Sequence, residues 1–503
     1  MPFAISRCVI LKAMSSPAHR RLLILTTKLG YQTRAFVDAA QKLGLEIVFG
    51  TDRCGKMDDP WGDHAVPLKF EHPDDAARRV LQSPDLGDIH AVVSLGDRPT
   101  PTAARIAHAL RLPHHSAAAA DACRDKYRSR EILRRAGLQV PRFVRLGLDI
   151  SAAELCSAIA DGPGFPCVLK PLALSGSRGV IRANDDGEAR AAFDRIRALL
   201  RSKDVRVLRE ESSDFIQVES YVDGDEIAVE ALVDRGKLRV LAIFDKPDPL
   251  TGPFFEETIY VTPSRLSAAQ QGVIVETLER SVAALGLSHG PIHAELRVNA
   301  LGAWPMEIAA RSIGGLCSRA LRFTLDAACV KPGDSPAPRF TAHTPDLHSS
   351  VITSGRSPRG ICFSTGEKAD ASATASPRHD TAMKDAGNDG LHSLEEIIIR
   401  LALGESMDTV ARERAASGVM MIPIPDAGIY HGVEGVEAAE QVEGIDEIRI
   451  TAKPEQKLVP LPEGASYLGF IFARAQSPAQ VEAALRAAHS KLHFQIGAAL
   501  PVV

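Results

Sequence analysis

Apolar positions along the chain fall into continuous runs, strict alternations and helical spacings that succeed one another in order. The run Leu22-Leu-Ile-Leu-Thr-Thr27 predicts a buried strand, residues 28–30 a turn and residues 31–43 a helix. Residues 45–49 and 91–95 repeat the buried-strand pattern, and a helix is expected at about residues 101–110. Strands alternating with helices predict a parallel, doubly wound sheet whose strand-end loops face ligands. No Gly-x-Gly-x-x-Gly follows the first strand, so the dinucleotide fingerprint is missing.

Residues 121–137 carry a helical pattern that Gly137 and Pro141 stop. A helix at about 152–159 leads to a strand at 167–170, a loop at 171–179 and a helix at 188–200. Strands are expected at 216–221, 226–233 and 237–244. Residues 291–297 and 305–311 alternate apolar with polar, and Asn299-Ala-Leu-Gly302 between them suits a hairpin loop. Residues 331–392 are rich in Ser, Pro, Ala, Thr, Asp and Gly without a sustained period, and read as a disordered insertion. Residues 393–404 resume as an amphipathic helix with Ser393 at its N-cap and Gly404 at its C-cap. A strand at 466–473 and a helix at 477–489 with Pro478 in its first turn close the chain.

Composition narrows the class. A chain of 503 residues has room for several domains, and 45% hydrophobic with 24% charged residues is ordinary for a soluble globular protein. A net charge of −4 without a basic stripe argues against nucleic acid as a partner, and 5% aromatics argue against base-stacking platforms. None of the 8 cysteines form a C-x-x-C pair, which suits a reduced, cytoplasmic protein better than a disulfide scaffold or zinc site. No long apolar run predicts a membrane span. Arg7, Lys12 and Arg20, without an acid in residues 1–20, suit a ragged start, with a weak organellar leader as the alternative.

The chemistry concentrates in two glutamates, Glu295 and Glu307, one on each alternating run. Across an antiparallel pair they can project from one face, where two carboxylates repel unless a cation joins them. A hard divalent cation takes oxygen ligands, commonly one or two carboxylates plus substrate phosphates. Arg297 and Arg311 on the same segments suit anionic ligands. A solvated hairpin with two salt bridges is the competing reading.

Taken in order, Arg124-Asp-Lys126, Val168-Leu-Lys170, the small-residue loop at 175–179, the segment from Val218 to Glu226, then Glu295 and Glu307 resemble the ATP-grasp superfamily of ATP-dependent ligases. Residues 244–258, 293–297 and 307–319 look like its L-amino-acid ligase branch, which makes dipeptides. The resemblance implies an α/β protein in several parts. A ragged N-terminus at 1–20 precedes an N-terminal α/β domain with a doubly wound parallel sheet at 21–118. An ATP-grasp domain of two α+β subdomains follows at 119–330, its flap subdomain at about 140–205. The insertion at 331–392 leads to a small C-terminal α/β subdomain at 393–503.

The resemblance also implies a reaction. A carboxylate attacks the γ-phosphate of ATP, and an amine displaces phosphate from the acyl phosphate to give an amide or dipeptide. ATP and Mg²⁺ (or Mn²⁺) are the implied cofactors, amino acids the implied substrates, and homodimers are frequent in the family. Lys126 and Lys170 match lysines that contact ATP phosphates; Ser175, Gly176, Ser177 and Gly179 match a flap over them. Glu219, Tyr221 and Val222 match a hinge at the adenine, and Glu226 a carboxylate on the ribose. Glu295 and Glu307 match metal ligands, and Arg311 with Lys170 the catalytic cations. Lys246, Glu256, His293, Arg297, Arg311, Gly314, Gly315 and Arg319 are the substrate candidates, several of which equally suit solvated charges or, for His293, a structural histidine. Many members carry Asn two residues after the second glutamate, where this chain has Ala309; Asn299 is a candidate replacement ligand. Two alternatives stand beside the ligase. One is a biotin-carboxylase-like enzyme, which Ala382-Met-Lys384 faintly suits; the other is a non-catalytic ATP-binding regulator, for which Ala309 speaks.

Overall fold

The computed structural model describes residues 20–27, 31–52, 65–83, 86–325, 390–464 and 466–498. The ragged start up to residue 19, nearly all of the insertion at 331–392, and Ala382-Met-Lys384 therefore lie outside the described residues. Among the described residues no helix is long and apolar enough to cross a membrane.

Strands β1 (Arg21–Thr26), β2 (Glu46–Thr51), β3 (Val66–Pro67) and β4 (Ala91–Leu95) form a parallel sheet of order β3-β2-β1-β4. The unbroken apolar run of β1 has a direct cause. Leu22 and Ile24 pack into one core with Phe36 and Ile397, while Leu23 and Leu25 pack into another with Val80 and Ile106. Helix α1 (Tyr31–Lys42) lies on the first side, and α2 (Pro73–Leu81) and α3 (Thr100–Ala109) on the second. Both faces are dry, as parallel sheets require.

Helices α4 (Ala117–Arg124) and α5 (Lys126–Arg135) lead into the next part. Asp125 caps α5, accepting from the N–H groups of Tyr127 and Arg128. Strands β5 (Phe143–Gly147), β6 (Cys167–Pro171), β7 (Ile181–Ala183) and β8 (Phe215–Ser220) form an antiparallel sheet of order β5-β8-β6-β7. Helices α6 (Ala152–Asp161) and α7 (Asp186–Arg201) cover it through Leu155, Ile159, Phe193 and Ile196, and the short α8 (Lys203–Arg206) adds Val205.

The largest sheet begins with β9 (Asp225–Asp234), β10 (Lys237–Asp245), β11 (Ile259–Thr262), β12 (Gly290–Asn299) and β13 (Gly302–Ala309). Helix α9 (Ala268–Leu285) packs Ile274, Leu278 and Val282 against it. After β14 (Arg322–Thr324) the next strand is β15 (His392–Ser393), which pairs antiparallel with β14. Strand β15 begins at His392, one residue before the start expected from the sequence. Helix α10 (Leu394–Ala402) has Ser393 as its N-cap, as the sequence predicts.

Next come β16 (Ala411–Arg412), β17 (Ala416–Ile422), β18 (Gly428–Glu434), α11 (Val436–Glu440), β19 (Ile445–Ile450), β20 (Lys457–Leu458), β21 (Gly469–Ala475), α12 (Pro478–His489) and β22 (His493–Gly497). Three of these strands extend the large sheet to eight, in the order β13-β12-β9-β10-β11-β17-β21-β19. The C-terminal region therefore continues the central sheet, from which the hairpin carrying the two glutamates is separated by β9, β10 and β11.

Candidate active site

The hairpin is built as its sequence suggests. Asn299 pairs with Gly302, leaving Ala300 and Leu301 as the loop. The Asn299 carboxamide oxygen accepts from the Leu301 N–H at 2.9 Å and the Trp304 indole at 3.2 Å, while its amide donates to Asp223. Asn299 is thus committed to the turn and does not stand in for the ligand missing at Ala309. Glu295 and Glu307 are direct cross-strand partners, so both carboxylates leave the same face.

Period-two alternation gives that face its other polar groups. His293, Glu295 and Arg297 of β12 lie opposite Glu230, Ala228 and Glu226 of β9. Arg297 donates to Glu226 at 3.0 Å and to the Val222 carbonyl at 2.7 Å. Lys246, just past β10, bridges Glu226 at 2.9 Å, Glu295 at 3.5 Å and Glu257. Glu226, Glu257 and Glu295 bring carboxylate oxygens within 4.8 Å of one another. Burial and the Glu295 charge push Glu257 up to about 7, against the pull of Lys246. Burial acts on Glu295 too, but Lys246 and His293 hold it well below the usual carboxylate range. Lys246, paired with all three, offsets the crowding of these carboxylates.

Strands β6 and β8 and helix α5 bring together a second charged group. Lys170 is only 6% exposed and reaches Glu219 at 2.5 Å. Arg130 meets the same carboxylate at 2.6 Å and donates to the carbonyls of Pro305 and Met306 at 2.5 and 2.9 Å. Burial would push Glu219 up, yet Arg130 and Lys170 hold it down at about 2. Burial lowers Lys170, with Glu219 opposing. Lys126 reaches Glu307 at 3.1 Å and the Leu174 carbonyl at 2.9 Å, which ties α5 to the loop before Ser175.

Most of these groups line one cavity of about 300 Å³. It contains sixteen of the sequence-predicted residues: Lys126, Lys170, Ser175, Gly176, Ser177, Glu219, Tyr221, Val222, Glu226, His293, Glu295, Arg297, Glu307, Arg311, Gly314 and Gly315. Lys246 lies just behind its wall, through the ion pairs described. Gly179 donates to the Pro462 carbonyl outside it. Glu256 does not line it, and the adjacent Glu257 does. Arg319 turns to Glu447 on β19 at 2.9 Å.

Several participants were not singled out from the sequence. Asp97, in the loop after β4, grips Arg311 with two bonds of 2.9 and 3.0 Å. Burial lowers the Arg311 affinity for its proton, but Asp97 more than restores it. The signal available was the loop's place at the end of a parallel strand. Glu230 accepts from His293 at 3.2 Å and from the Ile313 N–H at 3.0 Å. Burial would lower His293, and Glu230 and Glu295 raise it to about 9. The far wall is Tyr260 of β11, Met421 of β17, Cys317, Tyr467 and Phe470 of β21. Met421 and Phe470 are cross-strand partners, a proximity no local sequence signal encodes.

Comparisons with known proteins match these parts separately. Residues 163–320 match the family model for an ATP-grasp domain, residues 37–114 that for an ATP-grasp N-terminal domain, and residues 420–497 that for an L-amino acid ligase C-terminal domain 2. An uncharacterized protein y4rH of Sinorhizobium fredii (strain NBRC 101917 / NGR234) is 25% identical over 315 residues, 62% of this chain and 62% of that protein. The alanine–anticapsin ligase of Bacillus subtilis (strain 168) is 26% identical over 256 residues, 46% of this chain and 52% of the ligase. The chain thus matches less than two thirds of the length of these curated relatives. A crystal structure of an L-amino acid ligase from Bacillus licheniformis superimposes with a TM-score of 0.69 at 23% identity, covering 96% of this chain and all of that one. A phosphoribosylglycinamide synthetase from Anaerococcus prevotii does so with a TM-score of 0.58 at 15% identity, covering 95% of this chain and all of that one. At these identities the likeness is one of fold.

Proposed function

For this member of the ATP-grasp superfamily, we propose the activity of an ATP-dependent carboxylate–amine ligase of the L-amino-acid ligase type. The observation that carries the reading is the cross-strand pair Glu295 and Glu307, with Lys126 on one carboxylate and Lys246 on the other, in the wall of the cavity described above. This all-oxygen pair fits a hard dication, whose role when bound is to neutralise charge on the nucleotide phosphates.

The residues divide the work by position. The hinge at Tyr221 and Val222 and the carboxylate of Glu226 serve the nucleoside. Lys126, Lys170 and the loop at 175–177 serve the phosphates. Glu219, committed to Arg130 and Lys170, anchors the lysine from below, a different task from the adenine contact its position implies. A substrate carboxylate oxygen attacks the γ-phosphorus, and the bond from that phosphorus to the bridging oxygen of ADP breaks. Arg311, oriented by Asp97, accommodates the charge on the transferred group. An amine then attacks the acyl carbon, loses a proton and expels phosphate. The wall of Tyr260, Met421, Tyr467 and Phe470 suits an apolar amino acid side chain and keeps water from the acyl phosphate.

The test is a screen of the purified protein with Mg²⁺ and ATP against pools of amino acids, read as ADP and phosphate. Release that requires amino acids and yields a new amide supports the ligase. Stimulation by bicarbonate and free biotin supports the carboxylase, and tight ATP binding without turnover on any pool supports the regulator.

A further inference from the structure

The loop whose residues Ser175, Gly176 and Ser177 line the cavity is also held from outside. The N–H of Gly179 donates to the Pro462 carbonyl at 2.7 Å, and Arg178 donates to the Glu463 carbonyl at 2.7 Å. The Glu463 carboxylate meets the guanidinium of Arg195, on α7, in a two-pronged pair, one prong of 2.9 Å. One short turn between β20 and β21 therefore grips both the cavity loop and the helix behind it. The turn is braced to do so. The Gly464 N–H closes onto the Pro460 carbonyl at 2.9 Å, and a Cβ on Gly464 would collide with the Val459 carbonyl. Tyr467, three residues beyond Gly464, lines the cavity itself.

From this geometry we infer that Glu463 is a positioning residue: the turn at 460–464 is a clasp that holds the loop at 175–179 over the anion side of the cavity. The inference rests on the ligase reading for its purpose, which is to keep water from the acyl phosphate until the amine attacks. Its structural content is independent of that reading. The two ends of the clasp differ in kind. The bonds to Pro462 and Glu463 carbonyls survive any change of the Glu463 side chain. The ion pair is half exposed, with Arg195 at 46% and Glu463 at 35%, so solvent and salt weaken it and the loop can open for nucleotide entry. Since the gripping turn belongs to the C-terminal region, that region supplies closure as well as the apolar wall. Asp204, which Arg178 also meets at 2.5 Å, shares the loop's outer face and is the other charge packed there.

The experiment uses the full chain in three forms: wild type, Glu463→Arg, and the charge swap Glu463→Arg with Arg195→Glu. The first readout is hydrogen exchange of residues 175–179 without ligand. Exchange several-fold faster in Glu463→Arg and restored in the swap supports the clasp; equal exchange in all three, with equal melting temperatures, overturns it. The second readout is phosphate released per amide formed at saturating substrates. A ratio near one in wild type, several-fold above one in Glu463→Arg and near one again in the swap supports the clasp as a guard against hydrolysis. A loss of phosphate and amide in step, not rescued by the swap, overturns that role. Wild-type protein that makes no amide at all would overturn the ligase reading instead, and the exchange measurement would still decide the clasp.

Discussion

Glu307 faces Lys126 at 3.1 Å and Glu295 across the hairpin, and it makes few demands on the surrounding core. Glu307→Gln should therefore keep the fold, with a melting temperature close to wild type, while turnover falls by roughly 100-fold or more. An active variant would contradict its place at the phosphates. Asp97→Asn tests orientation: Arg311 keeps its charge but loses its two-pronged partner, so kcat should fall by about 10-fold or more while the KM for ATP barely moves. Glu219 gives a pH signature. Its folded pKa, about 2, lies below the ordinary 4.5, so its contribution is fully present above 4.5 and is lost as pH falls from there through 2. Glu219→Gln leaves the buried Arg130 and Lys170 without their shared carboxylate, and should cost about 3 kcal/mol at neutral pH. In urea unfolding at successive pH values, that deficit should shrink as pH drops towards 2; a constant deficit would contradict the ionic account. At this scale the sequence was informative wherever a charge sits on a motif with fixed spacing, as with Lys126, Lys170, Glu295 and Glu307. Asp97 was not legible, because its partner lies 214 residues away and the pairing follows only from how the first sheet docks.

Among the elements, the β12–β13 hairpin was readable because two alternating runs flank a polar turn. So was α10, whose Ser393 cap precedes an amphipathic run. Helix α9 carries an equal signal, a capping box of Ser267 and Gln270 ahead of Ile274, Leu278 and Val282. The pairing of β11 with β17 had no local signal, since each is a short apolar run that would fit any neighbour. The turn between β8 and β9 offers an element-scale test. Gly224 has φ +107°, and a Cβ there would strike the Val298 carbonyl of β12. Gly224→Ala should destabilise by about 2 kcal/mol through that backbone collision, seen as a lower urea midpoint at unchanged slope. An unchanged midpoint would mean the turn is slack.

For the molecule as a whole, the doubly wound N-terminal sheet was legible because burial on both faces leaves continuous apolar runs. The single eight-stranded sheet that joins the ATP-grasp core to the C-terminal strands was not, because strand order is a non-local property. That sheet puts the carboxylate face and the apolar wall into one cavity, so one ligand should stiffen the whole assembly. Mg²⁺ with ATP at about a hundred times its dissociation constant should add roughly 2.7 kcal/mol of stability, read as a rise in melting temperature that Glu307→Gln diminishes. The most direct test of the central claim follows one oxygen atom. An accepted amino acid carrying ¹⁸O in its carboxylate is incubated with its partner, Mg²⁺ and ATP, and the released phosphate is weighed by mass spectrometry. Attack of the carboxylate on the γ-phosphorus predicts one ¹⁸O in each phosphate formed with product. Product formed with unlabelled phosphate would contradict it.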